Sequence, residues 1–140
     1  MSVWGPLLLA AAALHAGFQI TVTVLVYPAL VHVPADRWAE AHSRHSRTIA
    51  PVVAMVYAAM LVACVAATVT SPGPGTLVAD VGTSVALLVT ATLAAPTHSR
   101  LAAGPDPALL HRLIVADRLR CAGALVAAAG ALAVVLPGPT

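Results

Sequence analysis

Residues 4–31 read WGPLLLAAAALHAGFQITVTVLVYPALV. This run holds no Asp, Glu, Lys or Arg, and the first charged side chain is Asp36. A bilayer core of about 30 Å is crossed by about 20 helical residues, so the run is long enough to span it. A secretory signal would carry a basic residue ahead of a shorter apolar core. No basic residue precedes Trp4, so Leu14-His15-Ala16 is not read as a cleavage site and the run is expected to be a membrane span.

The pattern continues along the chain. No charge lies between Arg47 and Asp80, none between Asp80 and Arg100, and none after Arg120. Spans are expected at Trp4–Val31, Pro51–Val69, Leu77–Ala95 and Ala116–Leu136, the last continuing a helix that begins near Pro107. Of the 140 residues, 60% are hydrophobic and 9% charged, against about 25% charged in a soluble domain. The expected fold is all-α: one integral membrane four-helix bundle over residues 1–140.

The chain has no lysine, and its seven basic residues are all arginine. They are Arg37, Arg44, Arg47, Arg100, Arg112, Arg118 and Arg120, between spans one and two or three and four. Positive loops stay in the cytoplasm. Both termini and the Ser71–Gly75 turn, SPGPG, are therefore expected outside. The mild positive balance reflects topology and makes no case for nucleic acid. Cys64 and Cys121 fall inside spans, as expected of buried structural thiols.

Residues 38–51, WAEAHSRHSRTIAP, interrupt the apolar pattern. Val33-Pro34-Ala35-Asp36 is a turn and helix start. The following helix, Pro34 to about Ala50, is amphipathic. Trp38, His42, His45 and Ile49 share one side, and Arg37, Glu40, Arg44 and Arg47 the other. It reads as a cytoplasmic helical extension before the second span, with Pro51 as a kink or first-turn residue. Pro96 to Pro107 is expected as the second cytoplasmic loop, and His98 there can approach the bundle mouth.

Topology explains the arginines and leaves the histidines over. In span one, His15, Gln19, Thr23 and Tyr27 recur every fourth residue and form one stripe. His15 lies roughly 16 Å below Trp4, near the midplane. Such a stripe faces a bundle interior or cavity, or bonds neighbouring helices as packing glue; both readings stand. On the last helix, His111 and Arg118 share a face, which favours Arg118 as the functional arginine, while Asp117 and Arg120 are spaced for a local pair. His42 and His45, spaced i, i+3, can reach one metal ion or transfer protons near neutral pH. Their bland alternative is an amphipathic interfacial helix beside a Trp anchor.

Gly17-Phe18, Val26-Tyr27-Pro28-Ala29-Leu30, Pro34 and Pro51 resemble the first half of the anthrone-oxygenase-like family of small four-helix membrane proteins. Asp117-Arg118-Leu119-Arg120-Cys121-Ala122-Gly123-Ala124-Leu125 resembles the family segment entering an alanine-rich last helix. Pro96 to Leu101 resembles the family's polar loop. Asp117 departs from the asparagine expected there, and the His42/His45 pair is not a family feature. By this resemblance the motif arginine is Arg120, whereas helical facing selects Arg118. The resemblance implies oxygenation of an aromatic polyketide anthrone in secondary metabolism.

The expected function is thus a membrane oxidoreductase or tailoring enzyme for a hydrophobic, aromatic small molecule. His15, His42, His45, His111 and Arg118 are its candidate catalytic residues. Gln19, Thr23, Tyr27, Trp38 and Arg120 are its candidate substrate-binding residues. Proton abstraction by a histidine would be matched by arginine stabilisation of an oxyanion. The chemistry needs either no cofactor or a copper, iron or haem held by histidine, with His42 and His45 as ligands. The alternative is a small transporter or a haem-, metal- or ligand-binding protein; four helices make a narrow bundle, so transport would call for a homo-oligomer.

Overall fold

The computed structural model describes residues 3–136. Four long helices run up, down, up and down: α1 (Trp4–Val31), α2 (Ala35–Thr70), α3 (Pro74–Leu101) and α4 (Pro107–Val135). Each is long and apolar enough to cross a membrane. There is no strand among the described residues. A tight turn at 71–73 joins α2 to α3, while 32–34 and 102–106 join the helices at the opposite, arginine-rich end. Asp106 caps α4, its Oδ1 accepting from Ala108 N and Leu109 N, with Pro107 in the first turn where its missing N–H costs nothing. Gly104 takes φ 150° in the loop before it, a conformation open to glycine.

Proline does not stop these helices. Pro28 and Pro96 each follow a π-helical turn, Val22–Val26 and Thr90–Ala94. A proline ring clashes with the carbonyl four residues back; a wider turn just before it relieves that clash. Threonine hydroxyls next to both turns bond to carbonyls four residues earlier: Thr21 to Gly17, Thr23 to Gln19, Thr90 to Ala86 and Thr92 to Leu88. Pro51 lies inside one continuous helix from Trp38 to Thr70. Two expectations change. The amphipathic segment and the second apolar run are one helix, and the expected loop from Pro96 shrinks to 102–106 because α3 continues to Leu101. Pro96 was read as the start of a loop; π turns carry α1 through Pro28 and α3 through Pro96.

The tightest packing joins α3 to α4. Gly75, Ala79, Gly82 and Ala86 on α3 meet Gly123, Ala127 and Gly130 on α4. A Cβ on Gly82 would sit 2.5 Å from Ala127 N and Gly123 O, and one on Gly130 2.5 Å from Ala79 N. Small residues every three or four positions let the two backbones touch, as in lipid, where close van der Waals packing drives helix association. By contrast α2 packs only lightly against α3.

The core falls into two apolar clusters. One, towards the 71–73 turn, holds Leu8, Ala12, Met60, Ala67 and Ala131. The other, towards the arginine-rich end, holds Val22, Leu30, Trp38, Leu101 and Leu113. Between them lies a buried polar layer: His15, Gln19, Asp117 and Arg120. The outer surface is apolar, with Val24, Met55, Val62, Val69 and Leu88 each more than half exposed.

Candidate functional site

The polar layer begins at His15, whose side chain is fully buried and whose two ring nitrogens have no protein partner. Its ring meets Tyr57 edge-on, centroids 4.9 Å apart. One turn on, Gln19 Nε2 donates to Asp117 Oδ1 at 2.6 Å across α1 and α4. Hydrogen bonds to a carboxylate are short and strong. Tyr57 OH donates to Ala86 O at 3.2 Å and shares a 2.9 Å contact with Thr90 Oγ1, which ties α2 to the start of the second π turn.

From Arg120 a chain of contacts runs to the arginine-rich end. Arg120 Nη1 donates to Tyr27 OH at 3.4 Å. Tyr27 OH lies 3.2 Å from His98 Nε2. His98 Nδ1 lies 3.3 Å from His42 Nε2. His42 stacks on Trp38 with centroids 5.4 Å apart and planes 20° apart, and His45 stacks on His98 at 5.7 Å. Trp38 Nε1 donates to Leu101 O at 2.8 Å, a carbonyl at the end of α3 that also accepts from Gly104 N at 3.2 Å. Four helices thus contribute one continuous chain: α4 through Arg120, α1 through Tyr27, α3 through His98 and α2 through His42.

A cavity of about 330 Å³ opens against this chain where α2 stands away from α3. Its walls are mostly apolar: Val22, Ile49, Ala50, Val53, Ala54 and Ala94. Tyr27, His98 and Arg120 supply its polar groups, with Ser46 and Thr90 nearby. Both π turns border it through Val22, Thr90 and Ala94. Arg120 Nε is buried with no protein partner. An apolar cleft with a few convergent polar groups is the usual form of a small-molecule site.

The stripe His15, Gln19 and Tyr27 is buried as a set, with Thr23 half-buried and bonded to its own helix. Trp38 and His42 are buried and His45 half-buried on the inward side of α2, while Arg37, Glu40, Arg44 and Arg47 are exposed. The arginine choice by facing is corrected: His111 and Arg118 are exposed, and Asp117 and Arg120 are buried. The inward face of α4 follows Leu113, Ala116, Asp117, Arg120, Gly123 and Ala124, so the His111–Arg118 face points away from the bundle. His42 Nε2 meets His98 Nδ1, and the His42 and His45 rings lie 5.5 and 5.7 Å from the His98 ring. Among the described residues no group of three or more His, Cys, Asp or Glu side chains is arranged to hold a metal ion. Tyr57 was not among the candidates, because a lone tyrosine in an apolar run carries no pattern. His98 was expected in a loop from which it could approach the bundle mouth, and it reaches Tyr27 and His42 from the last turns of α3.

No family model, curated protein or solved structure matches the chain.

Proposed function

We propose that the protein is a membrane-embedded acid–base enzyme for a hydrophobic, aromatic small molecule, an anthrone-oxygenase-like tailoring enzyme. The observation that carries this is the cavity with apolar walls and Tyr27, His98 and Arg120 together on one side. In this reading the four apolar helices span the membrane, with both termini outside. The arginine-bearing start of α2 forms a cytoplasmic extension, consistent with its exposed Arg37, Arg44 and Arg47. The exposed aliphatic surface then meets lipid, and the substrate enters from the bilayer where α2 leaves α3.

The chemistry follows from the three polar groups. An anthrone has an acidic CH₂ across the central ring from its carbonyl, conjugated with it through the flanking aromatic rings. Its carbonyl oxygen would meet Arg120, whose charge stabilises the enolate that forms on deprotonation. The proton leaves through Tyr27 and His98, groups suited to transfer near neutral pH. The electron-rich carbanion then reduces dioxygen, and loss of water completes the quinone. No step requires a protein-bound cofactor.

Protein in lipid nanodiscs, given anthrone, should consume one dioxygen per anthrone and form anthraquinone. Arg120→Gln should lower kcat/KM by about 100-fold, the scale of one lost oxyanion donor, and Arg118→Gln should leave it unchanged. Anthrone binding without oxygen uptake would instead make this a binding protein. Equal rates in the two arginine variants would refute the site.

A further inference from the structure

The chain Arg120–Tyr27–His98–His42 has a polarity set by its first member. A guanidinium only donates, so the Tyr27 oxygen accepts from Arg120 Nη1. Tyr27 then has one hydrogen to place, and its remaining partner is His98 Nε2 at 3.2 Å. If His98 Nε2 were instead the donor, the buried Tyr27 hydroxyl hydrogen would be left without an acceptor, which is unfavourable. His98 Nε2 is therefore the bare nitrogen. A neutral imidazole has one N–H, so His98 carries it on Nδ1 and donates it to His42 Nε2 at 3.3 Å. His42 in turn carries its hydrogen on Nδ1.

The two ends of this chain lie in different surroundings. Tyr27, His98 and Arg120 line the apolar cavity. A second opening, about 470 Å³, is lined by His42, Ser43, Ser46, Arg47, His98 and Ser99. His98 and Ser46 belong to both walls. The imidazole of His98 is thus part of the partition between an apolar cavity and a polar groove at the arginine-rich end.

We propose that His42 is the proton terminal of the cavity: a lipophilic weak acid, a phenol or enol, binds there as its anion beside Arg120, and its proton emerges on His42 in the polar groove. This rests on the cavity being a ligand site, as argued above. The balance is one proton moved and one ion pair formed. The ligand O–H bond breaks and its proton goes to the Tyr27 oxygen. Tyr27 passes its own hydrogen to His98 Nε2, and His98 passes its Nδ1 hydrogen to His42 Nε2. His42 becomes imidazolium, and the ligand anion stays against the Arg120 cation. Burial holds His42 below the usual imidazole range, and stacking on Trp38 works against that in favour of the imidazolium. The groups facing the relay are His45 on α2, Tyr57 on α2 against Tyr27 and Arg120, Arg47 in the polar groove beside His42, and Asp117 beside Arg120 on α4. Loss of the His42 Nδ1 proton to water leaves the chain with reversed polarity, ready to return a proton inward. His42 touches no ligand; it acts through His98 and Tyr27.

Two measurements test this. The first needs no ligand. In nanodisc protein carrying ¹⁵N-histidine, assigned with His42→Gln and His98→Gln, nitrogen shifts report the tautomers. His98 and His42 should both be Nδ1–H forms, and Tyr27→Phe should shift the His98 Nε2 resonance as that nitrogen loses its hydrogen bond. An Nε2–H form of His98 in the unaltered protein overturns the relay. The second uses 1-naphthol, whose neutral and ionised forms absorb at different wavelengths. Bound naphthol should ionise at lower pH than free naphthol. His42→Gln should keep the binding and raise the ionisation by about one pH unit, tenfold in proton affinity. Binding with an unchanged ionisation in His42→Gln overturns the relay alone; no binding by the unaltered protein overturns the cavity reading and the relay with it.

Discussion

Gly82→Ala is the sharpest test of the packing that holds the site together. The added Cβ would lie 2.5 Å from both Ala127 N and Gly123 O, where ordinary contact begins at 3.4 Å, so α3 and α4 must part by roughly 0.9 Å. Both obstacles are backbone atoms of a continuous helix, and neither can rotate away. Overpacking of this kind costs about 1–3 kcal/mol, and here the upper end applies. Replacing glycine by alanine within a helix returns about 1 kcal/mol of propensity. The net expectation is a loss of about 2 kcal/mol. Gly17→Ala is the matched control: nothing lies within 4 Å of its added Cβ, so only the gain of up to about 1 kcal/mol remains. The two single-methyl variants should then differ by about 3 kcal/mol in reversible unfolding in mixed micelles. Gly82→Ala proving as stable as Gly17→Ala would refute the backbone contact between α3 and α4.

Other expectations follow from single contacts. Trp38→Phe keeps the ring but removes the donor to Leu101 O; it should cost about 1 kcal/mol and loosen the α2–α3 end, measured as faster amide exchange at 102–104. Reporter fusions at Gly75 and after Leu136 should both report the outside, as the distribution of arginines requires, and a cytoplasmic signal at either would reject the orientation.

Much of the fold was legible because charge-free runs mark long apolar helices directly. What escaped was continuity at one proline. Span one was read through Pro28 and Pro51 was left as a kink or first-turn residue, but Pro96 was read as the start of a loop, and it lies within a helix. Nothing in the residue order announces a π turn, which depends on how the helix packs around the cavity. His98 was expected near the bundle mouth, but its place on α3 facing Tyr27 and His42 was not legible. The first-helix stripe was legible because its period matches a helix and its partners are all inward. The arginine was harder. Facing alone relates Arg118 to His111 correctly, since they do share a side, but it cannot say whether that side is inward. The small residues Gly123, Ala127 and Gly130 carry that information, because small residues repeated every three or four positions line a close helix contact, and Arg120 lies one turn before Gly123 on the same face.

Gln19 and Asp117 can decide between the two readings the stripe left open, packing glue or functional layer. Their 2.6 Å bond joins α1 to α4 in the middle of the bundle, and both side chains are buried. Asp117→Leu alone strands the Gln19 amide, whose Oε1 already has no protein partner, and should cost about 1–3 kcal/mol. Gln19→Leu alone strands a buried carboxylate and should cost as much or more. The double leucine variant strands neither group and fills the space with apolar atoms, as when a buried ionic group replaced by well-packed apolar residues leaves stability equal or higher. It should therefore be more stable than the sum of the singles, with a coupling of about 2–3 kcal/mol between the two sites, yet less stable than the unaltered protein, because buried Arg120 keeps its charge without the neighbouring carboxylate. Anthrone turnover should fall further than this loss of stability explains, because Arg120 is no longer held in the interior. Turnover lost in protein that remains folded would make the layer functional. A double variant as unstable as the sum of the singles would make the pair structural glue, and the functional reading of Gln19 and Asp117 would be wrong.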